Sequence, residues 1–338
     1  MTVNTPAARS SVTRKEVAKR AGVSTAVVSY VVNGGPKKVA PATEARVKDA
    51  IRELGYRPNA VARALKLGSS QTIGLVMPDN FNPFFALFAH AVEEAAAAQG
   101  YSLLLGNSGS NADRERVLVR NFAARQVDGV VLFPTLDEPD LADLAAAEIP
   151  CVLLNFAREA PGFSTIGVDL PGGARLAVEH LIGHGHTNIA LCVGIHKSGT
   201  MDDRFFGWRD ALTDAGLAEG PVALRTFTLA GGAEAAAQIL AEPNRPTAVF
   251  VSSDVQAVGL LNALHKAGLS VPEDMAVVSF DGTLDADFSW PPLTTVAQPV
   301  QEMGEAAVKA LLDFRNDHQT IRHVFPTRLR IGGSCGCN

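Results

Sequence analysis

The segment 12–33, VTRKEVAKRAGVSTAVVSYVVN, constrains this chain more tightly than any other stretch. Thr13 followed three residues later by Glu16 is a capping box, so a helix is expected over Arg14–Ala21. Gly22-Val23 supplies a tight turn and Ser24 a second N-cap. Val27, Val28, Val31 and Val32 then put an apolar stripe on the following helix, facing Val17, Ala18 and Ala21 on the first. Small residues let the two helices cross closely, at the steep angle of a helix-turn-helix. Thr25, Ala26, Ser29 and Tyr30 are expected on the outer face near the start of the second helix, where such a motif meets base edges. The bland alternative, a helical hairpin packed into a core, leaves the agreement of cap, turn and stripe unexplained.

Downstream, Ala40-Pro41 places Pro at a first helical position, and Val47, Ala50, Ile51 and Leu54 recur at helical spacing up to Gly55. Residues 1–66 hold thirteen Lys/Arg against four acidic residues, a net +9, whereas the remainder carries −14 of the whole-chain −5. A basic module on an acidic body suits phosphate binding by one end.

The pattern V-T-x-x-[DE]-V-A-x-x-A-G-V-S-x-x-x-V-S-x-V-[LV]-N from Val12 to Asn33, with E-L-G-Y-x-P-N-x-x-A-R-x-L from Glu53 to Leu65, resembles the lactose-repressor (LacI/GalR) family of bacterial transcription regulators. The resemblance implies a headpiece over residues 1–57, a hinge helix over 58–70 and an effector-binding, dimerising body over 71–338. It implies DNA contacts from Thr13, Ser24, Thr25, Ala26, Ser29, Tyr30, Asn33, Tyr56, Asn59, Ala62, Arg63 and Leu65, with Leu65 as a minor-groove wedge. The hinge segment is too short to be a stable helix alone and is expected to fold on DNA. Three departures stand out. Tyr30 lies where Arg is common and cannot make a bidentate guanine contact. Gly34-Gly35-Pro36 lengthens the loop after the second helix, and Asn155 replaces a frequent Asp.

Beyond Gln71 the chain alternates strand-like and helix-like segments. Apolar runs at Thr72–Met77, Ser102–Leu105, Gly129–Phe133, Cys151–Leu154, Thr165–Val168, Ile189–Val193, Ala223–Thr228, Ala248–Val251 and Ala276–Phe280 have the length of buried parallel strands. Helices are expected around Phe84–Gln99, Ala112–Gln126, Pro139–Ala147, Pro171–His184 and Val255–Ala267. Nine or ten strands fit two doubly wound parallel-sheet lobes better than one. The Pro/Gly-rich break at 157–163 marks an expected crossing between them. The resemblance implies a periplasmic-binding-protein-like body with further crossings near 282–290 and 316–326. It returns Phe288–Asn316 to the first lobe and has Thr327–Ile331 complete the second.

No nucleotide-binding glycine motif, nucleophile elbow or metal-protease motif occurs, so an enzyme reading has no constellation to rest on and no cofactor is expected. His184 and His186 are expected near a helix C-terminus. Cys151 and Cys192 sit in apolar runs and read as core. Cys335-Gly336-Cys337 offers two thiols with no histidine adjacent in sequence, so no metal is expected and the segment reads as inert. The 338 residues hold no apolar run of membrane-spanning length and no secretory leader, which points to a cytoplasmic protein.

Ligands of open α/β sheets sit beyond the carboxyl ends of the strands. Asp79, Asn80, Asn82, Asn107, Asn155, Asp169, Ser252, Ser253, Asp254 and Asp281 fall there, with Arg204 opening a later helix. Carboxylates, amides and a guanidinium can grip vicinal hydroxyls, while Phe84, Phe85, Phe133 or Trp290 could cover a ring. By resemblance, Arg204 and Asp281 match the family's principal effector pair, and Asn155, Ser253 and Gln298 match further contacts. The expected protein is therefore a dimeric repressor of near-palindromic operator DNA, responsive to a small molecule, most plainly a sugar. The alternative is a solute-binding protein for transport. No heptad tail follows Ile331, so a dimer is expected rather than a tethered tetramer.

Overall fold

The computed structural model describes residues 12–33, 38–57, 64, 68–136, 138–156, 159–194 and 201–337. Two compact units divide the chain, 1–70 and 71–338.

The first unit holds α1 (Arg14–Ala21), α2 (Thr25–Asn33) and α3 (Pro41–Leu54). The capping box forms as its residue types require. Thr13 Oγ1 accepts from Glu16 N at 3.4 Å, and Glu16 Oε2 accepts from Thr13 N at 2.6 Å. Gly22 ends α1 in the left-handed region at φ 67°, where a side chain would be strained. Val17, Ala18, Ala21, Val28, Val47, Ala50 and Tyr56 close the core between the three helices. Tyr56 is thus a core residue, 8% exposed, and not the DNA-facing phenol expected. Ser29, at 7%, is buried as well. The reason is that α1 and α3 flank α2 on two sides, so its covered arc is wider than one valine stripe.

The second unit is an α/β body of two sheets. The first lobe contains β1 (Thr72–Met77), α4 (Pro83–Ala98), β2 (Ser102–Asn107), α5 (Ala112–Ala124), β3 (Gly129–Leu132), α6 (Ala142–Ala146), β4 (Cys151–Leu154) and β5 (Ser164–Val168). The second contains α7 (Leu170–Gly183), β6 (Ile189–Gly194), α8 (Asp203–Asp214), β7 (Val222–Arg225), α9 (Leu229–Leu240), β8 (Ala248–Val251), α10 (Asp254–Lys266), β9 (Ala276–Asp281), α11 (Leu284–Phe288) and β10 (Thr294–Ala297). The chain then runs through α12 (Val300–Asp317), β11 (Arg322–Phe325) and β12 (Arg328–Arg330). The strand orders are β11-β5-β4-β3-β1-β2 and β12-β10-β9-β8-β6-β7, parallel except for β12 against β10.

This pairing corrects the expected crossings. β5 lies beside β4 in the first sheet, so the chain does not change lobe between Leu154 and Ser164. Pro and Gly mark a turn there but carry no information about which sheet comes next. The chain crosses at Asp169 instead. β10 pairs with β9, so the second crossing falls at Gln298-Pro299 rather than at 282–290. Only from Val300 does the chain rejoin the first lobe, where Met303, Ala307, Val308 and Leu311 pack with Ile73, Phe88 and Val131. β11 (322–325), in the first sheet beside β5, lies within the last expected span, and the return to β12 follows it at Pro326-Thr327, at that span's end.

Each lobe is three-layered. α4 and α12 cover one face of the first sheet, with Val119 and Phe122 of α5 and Leu144 of α6 on the other. α7 and α8 cover one face of the second, α9 and α10 the other. Strands buried on both faces read as continuous apolar runs, which is why their positions were legible.

Candidate functional site

In the second sheet the chain winds outward in opposite directions from β6 and β8. The crevice at such a switch point is where these sheets take ligands. Arg204, in the first turn of α8 after β6, reaches across it: its Nη1 donates to the backbone oxygen of Ser252, just past β8, at 2.6 Å. The guanidinium is held from the other side by Asp202, the N-cap of α8, which accepts from Nε and Nη2 at 2.8 Å each. Both side chains are buried, at 7% and 1% exposed. Phe227 and Phe280 flank the guanidinium, each with its ring centroid 5.2 Å away. Gly194 ends β6 where a Cβ would sit 1.9 Å from the Phe227 ring, so only glycine admits that ring beside Arg204. Of a guanidinium's five donors, three are taken by these partners; among the described residues, two have no acceptor.

Asp281 closes β9 with its carboxylate 3.9 Å from Arg204 Nη1. Its backbone, at φ 114°, lies in a region non-glycine residues rarely adopt, a form of strain that collects at binding sites. Burial, then the neighbouring Asp254, push its carboxyl well above the usual range, with Arg204 opposing them. Gln298, after β10, donates through Nε2 to Asp281 Oδ1 at 3.0 Å, leaving its own Oε1 buried without a partner among the described residues. On the first lobe, Asn155 after β4 sits at φ 53° with its Oδ1 likewise buried and unpartnered. Thr135, beyond β3, has an unpartnered buried hydroxyl too.

The remaining expected contacts are employed elsewhere. Asn82 is 6% exposed and caps α4, accepting from Phe84 N at 3.0 Å. Phe84 and Phe133 are core residues of the first lobe; Phe85, half-buried, lies edge-on to Phe133 at 5.0 Å. Ser253 caps α10, and its hydroxyl donates to Gln256 Oε1 at 2.9 Å. Asp254 accepts from Ser279, Thr295 and Thr283, the last through both backbone and hydroxyl, and so ties β9, β10 and the next loop to α10. Trp290 is 91% exposed. Sequence reasoning missed Asp202, Phe227 and Phe280. Asp202 carried a legible signal, an acid two residues before a helix-opening arginine, whereas nothing in the local sequence marks Phe227.

In the first unit, Thr13 and Ser24 spend their hydroxyls as helix caps, while Thr25 and Ala26 lie exposed and Tyr30 half-exposed on α2. The expected hinge contacts Asn59, Ala62, Arg63 and Leu65, and the side chain of Asn33, lie outside the described residues.

Two family models match: "Bacterial regulatory proteins, lacI family" over residues 13–59 and "Periplasmic binding protein-like domain" over 178–335. The HTH-type transcriptional repressor PurR of Aliivibrio salmonicida is 37% identical over 318 residues, 93% of this chain and 95% of that protein. The chain belongs to the LacI family. Catabolite control protein A of Priestia megaterium is 35% identical over 315 residues, 90% of this LacI-family chain and 93% of the relative. Among solved structures, the lac repressor dimer bound to operator and the anti-inducer ONPF superposes with a TM-score of 0.87 at 30% identity, covering 96% and 99% of the two chains. The complex of transcriptional regulator CelR with cellobiose gives 0.72 at 32% identity, with the same coverage. This LacI-family protein is a ligand-responsive, DNA-binding transcriptional regulator, and the transport alternative falls. The relatives named are regulators rather than enzymes. No helix among the described residues is long and apolar enough to cross a membrane.

Proposed function

We propose that the protein is a repressor that binds near-palindromic operator DNA as a homodimer in the cytoplasm and responds to a small polyhydroxylated metabolite of the sugar class. Arg204, Asp281 and Gln298 on one lobe and Asn155 and Phe85 on the other are the effector contacts. One observation carries this reading. At the strand ends, buried acceptors lacking a partner among the described residues (Gln298 Oε1, Asn155 Oδ1) accompany a guanidinium with two donors uncommitted there and a carboxylate on a strained backbone. Buried polar groups cost free energy when unpaired, so the set calls for a ligand that both donates and accepts. Sugar hydroxyls do both. Relatives solved with cellobiose and with ribose support that class.

On the DNA side, Thr25, Ala26 and Tyr30 read bases, and Asn59, Ala62, Arg63 and Leu65 engage the minor groove. The test is a thermal-shift screen of sugars and nucleosides, followed by operator selection and DNA titration. A sugar should stabilise the protein. A variant lacking residues 1–66 should keep that response and lose DNA binding. Equal DNA affinity without the headpiece, or stabilisation by nucleosides alone, would overturn the corresponding half of the proposal.

A further inference from the structure

Two histidines and two cysteines far apart in sequence meet at the back of the second lobe. His180 and His184 are four residues apart at the end of α7, on one helix face. Opposite them lies the segment Ser334–Cys337, which the sequence alone presented as an isolated thiol pair. That expectation is corrected. Cys337 Sγ is 3.2 Å from His184 Nε2 and 3.6 Å from His180 Nε2. One ligating atom from each of His180, His184, Cys335 and Cys337 lies within 4.8 Å of all the others. A tetrahedral zinc site with Zn–S of about 2.3 Å and Zn–N of about 2.0–2.1 Å spaces its donors roughly 3.3–3.8 Å apart. The four atoms already stand near that spacing.

The segment is held by its own hydrogen bonds. Ser334 Oγ donates to Val277 O at 2.6 Å and accepts from Thr294 N at 2.8 Å, while Val277 N donates to Ser334 O at 2.8 Å. Cys335, 1% exposed, accepts from Thr294 Oγ1 at 2.9 Å. Gly336 turns the chain at φ 90°, which lets the second cysteine come back toward the helix.

We propose that His180, His184, Cys335 and Cys337 form a Cys2His2 site for a thiolate-avid divalent cation, zinc above all. Mixed sulfur and imidazole donors select such ions over hard oxygen-seeking ones. Four protein ligands leave no open position, so the ion is structural. It fastens the C-terminal segment to α7, the helix that opens the second lobe and packs against the sheet carrying Asp281. The inference is independent of the effector assignment, which involves other residues.

The full chain, purified under reductant without chelator, should carry one zinc per protomer by elemental mass spectrometry. After chelation, cobalt should give thiolate-to-metal charge transfer together with tetrahedral d–d bands, and zinc should shield two of four thiols from alkylation. Cys337→Ser and His184→Gln, both at accessible positions, should weaken zinc by more than the 10–100-fold typical of outer-shell changes. His186→Gln should leave affinity unchanged, because that imidazole faces Thr247 instead. Circular dichroism equal to wild type confirms that the variants fold. Zinc affinity unaltered in both variants, a cobalt spectrum lacking charge transfer, or a Cys335–Cys337 disulfide persisting under reductant would overturn the proposal.

Discussion

The strand ends of the two lobes are built from opposite materials. On the first, Phe84, Phe85, Phe88 and Phe133 pack edge to face with centroids 4.9–6.4 Å apart, and Asn155 and Thr135 are sparse polar additions. On the second, a buried chain of charge runs from Asp202 through Arg204 to Asp281 and Gln298. Aromatic rings stay dry at no electrostatic cost. Buried charges persist only because most of their donors and acceptors are already satisfied. In the proposed reading the second lobe is therefore the preorganised, hydroxyl-reading half, and the first supplies apolar area.

The largest expected effect tests whether that charge is structurally committed. Arg204→Met should destabilise the protein by about 3–5 kcal/mol, because it strips the guanidinium from a carboxylate only 1% exposed. Chemical denaturation measures this directly. A loss below about 1 kcal/mol would mean that the second lobe is no more dependent on its charges than a surface ion pair is.

A smaller effect separates binding from folding. Asp281→Asn keeps the shape and a residue type that tolerates positive φ, and should cost about 2 kcal/mol of effector affinity, roughly 30-fold. The wild type adds a pH signature. An unfolded aspartate titrates near about 3.9, whereas burial and Asp254 raise Asp281 well above that. Between the two values the folded state keeps a proton the unfolded state has lost, so this group's contribution to stability falls as pH rises through the window. A sugar hydroxyl donating to the carboxylate favours its charged form, so effector affinity should rise with pH over the same range, with proton release. In Asp281→Asn the affinity dependence should flatten and the stability dependence weaken, the remainder coming from Asp254 and Glu115, whose carboxyls burial also raises. Calorimetry in buffers of different ionisation enthalpy reads the proton directly, and a pH-independent wild-type affinity would remove Asp281 from the site.

The same contrast explains what could be read in the sequence. The first nine strands were legible because they leave short apolar runs, and α1 and its capping box because the cap is local; β10 and β11, which open on Thr or Arg, left no such run. Asp281 was flagged by its place after a strand, Gln298 only through the family resemblance. What local pattern could not show is which side chains from distant strands converge. Phe227 reaches Arg204 only because Gly194 on another strand makes room, and His180 meets Cys337 across 157 positions. Conversely, Ser29 looked DNA-facing because one helix stripe underestimates burial when two neighbours flank it, and Tyr56, expected at the DNA only by resemblance, closes the headpiece core instead. The first crossing was misplaced for a related reason: loop composition marks a turn, not the sheet that receives the next strand.

The smallest effect concerns a residue at the right address with the wrong employment. Ser253 stands at a strand end of the charged lobe, as Asp281 does, yet its hydroxyl donates to Gln256 and its side chain caps α10. Gln256 in turn donates to the backbone oxygens of Arg225 and Thr226, so Ser253 belongs to a network that holds α10 to the end of β7. Ser253→Ala should therefore cost about 1 kcal/mol of stability, the usual value of a lost N-cap, and leave effector affinity unchanged. Denaturation and calorimetry on the same preparation separate the two. An affinity loss without a stability loss would return Ser253 to the ligand, and with it the view that position at a strand end is enough to assign a contact. A stability loss alone supports the stricter rule that a strand-end group binds ligand only where its hydrogen-bonding capacity is left unspent.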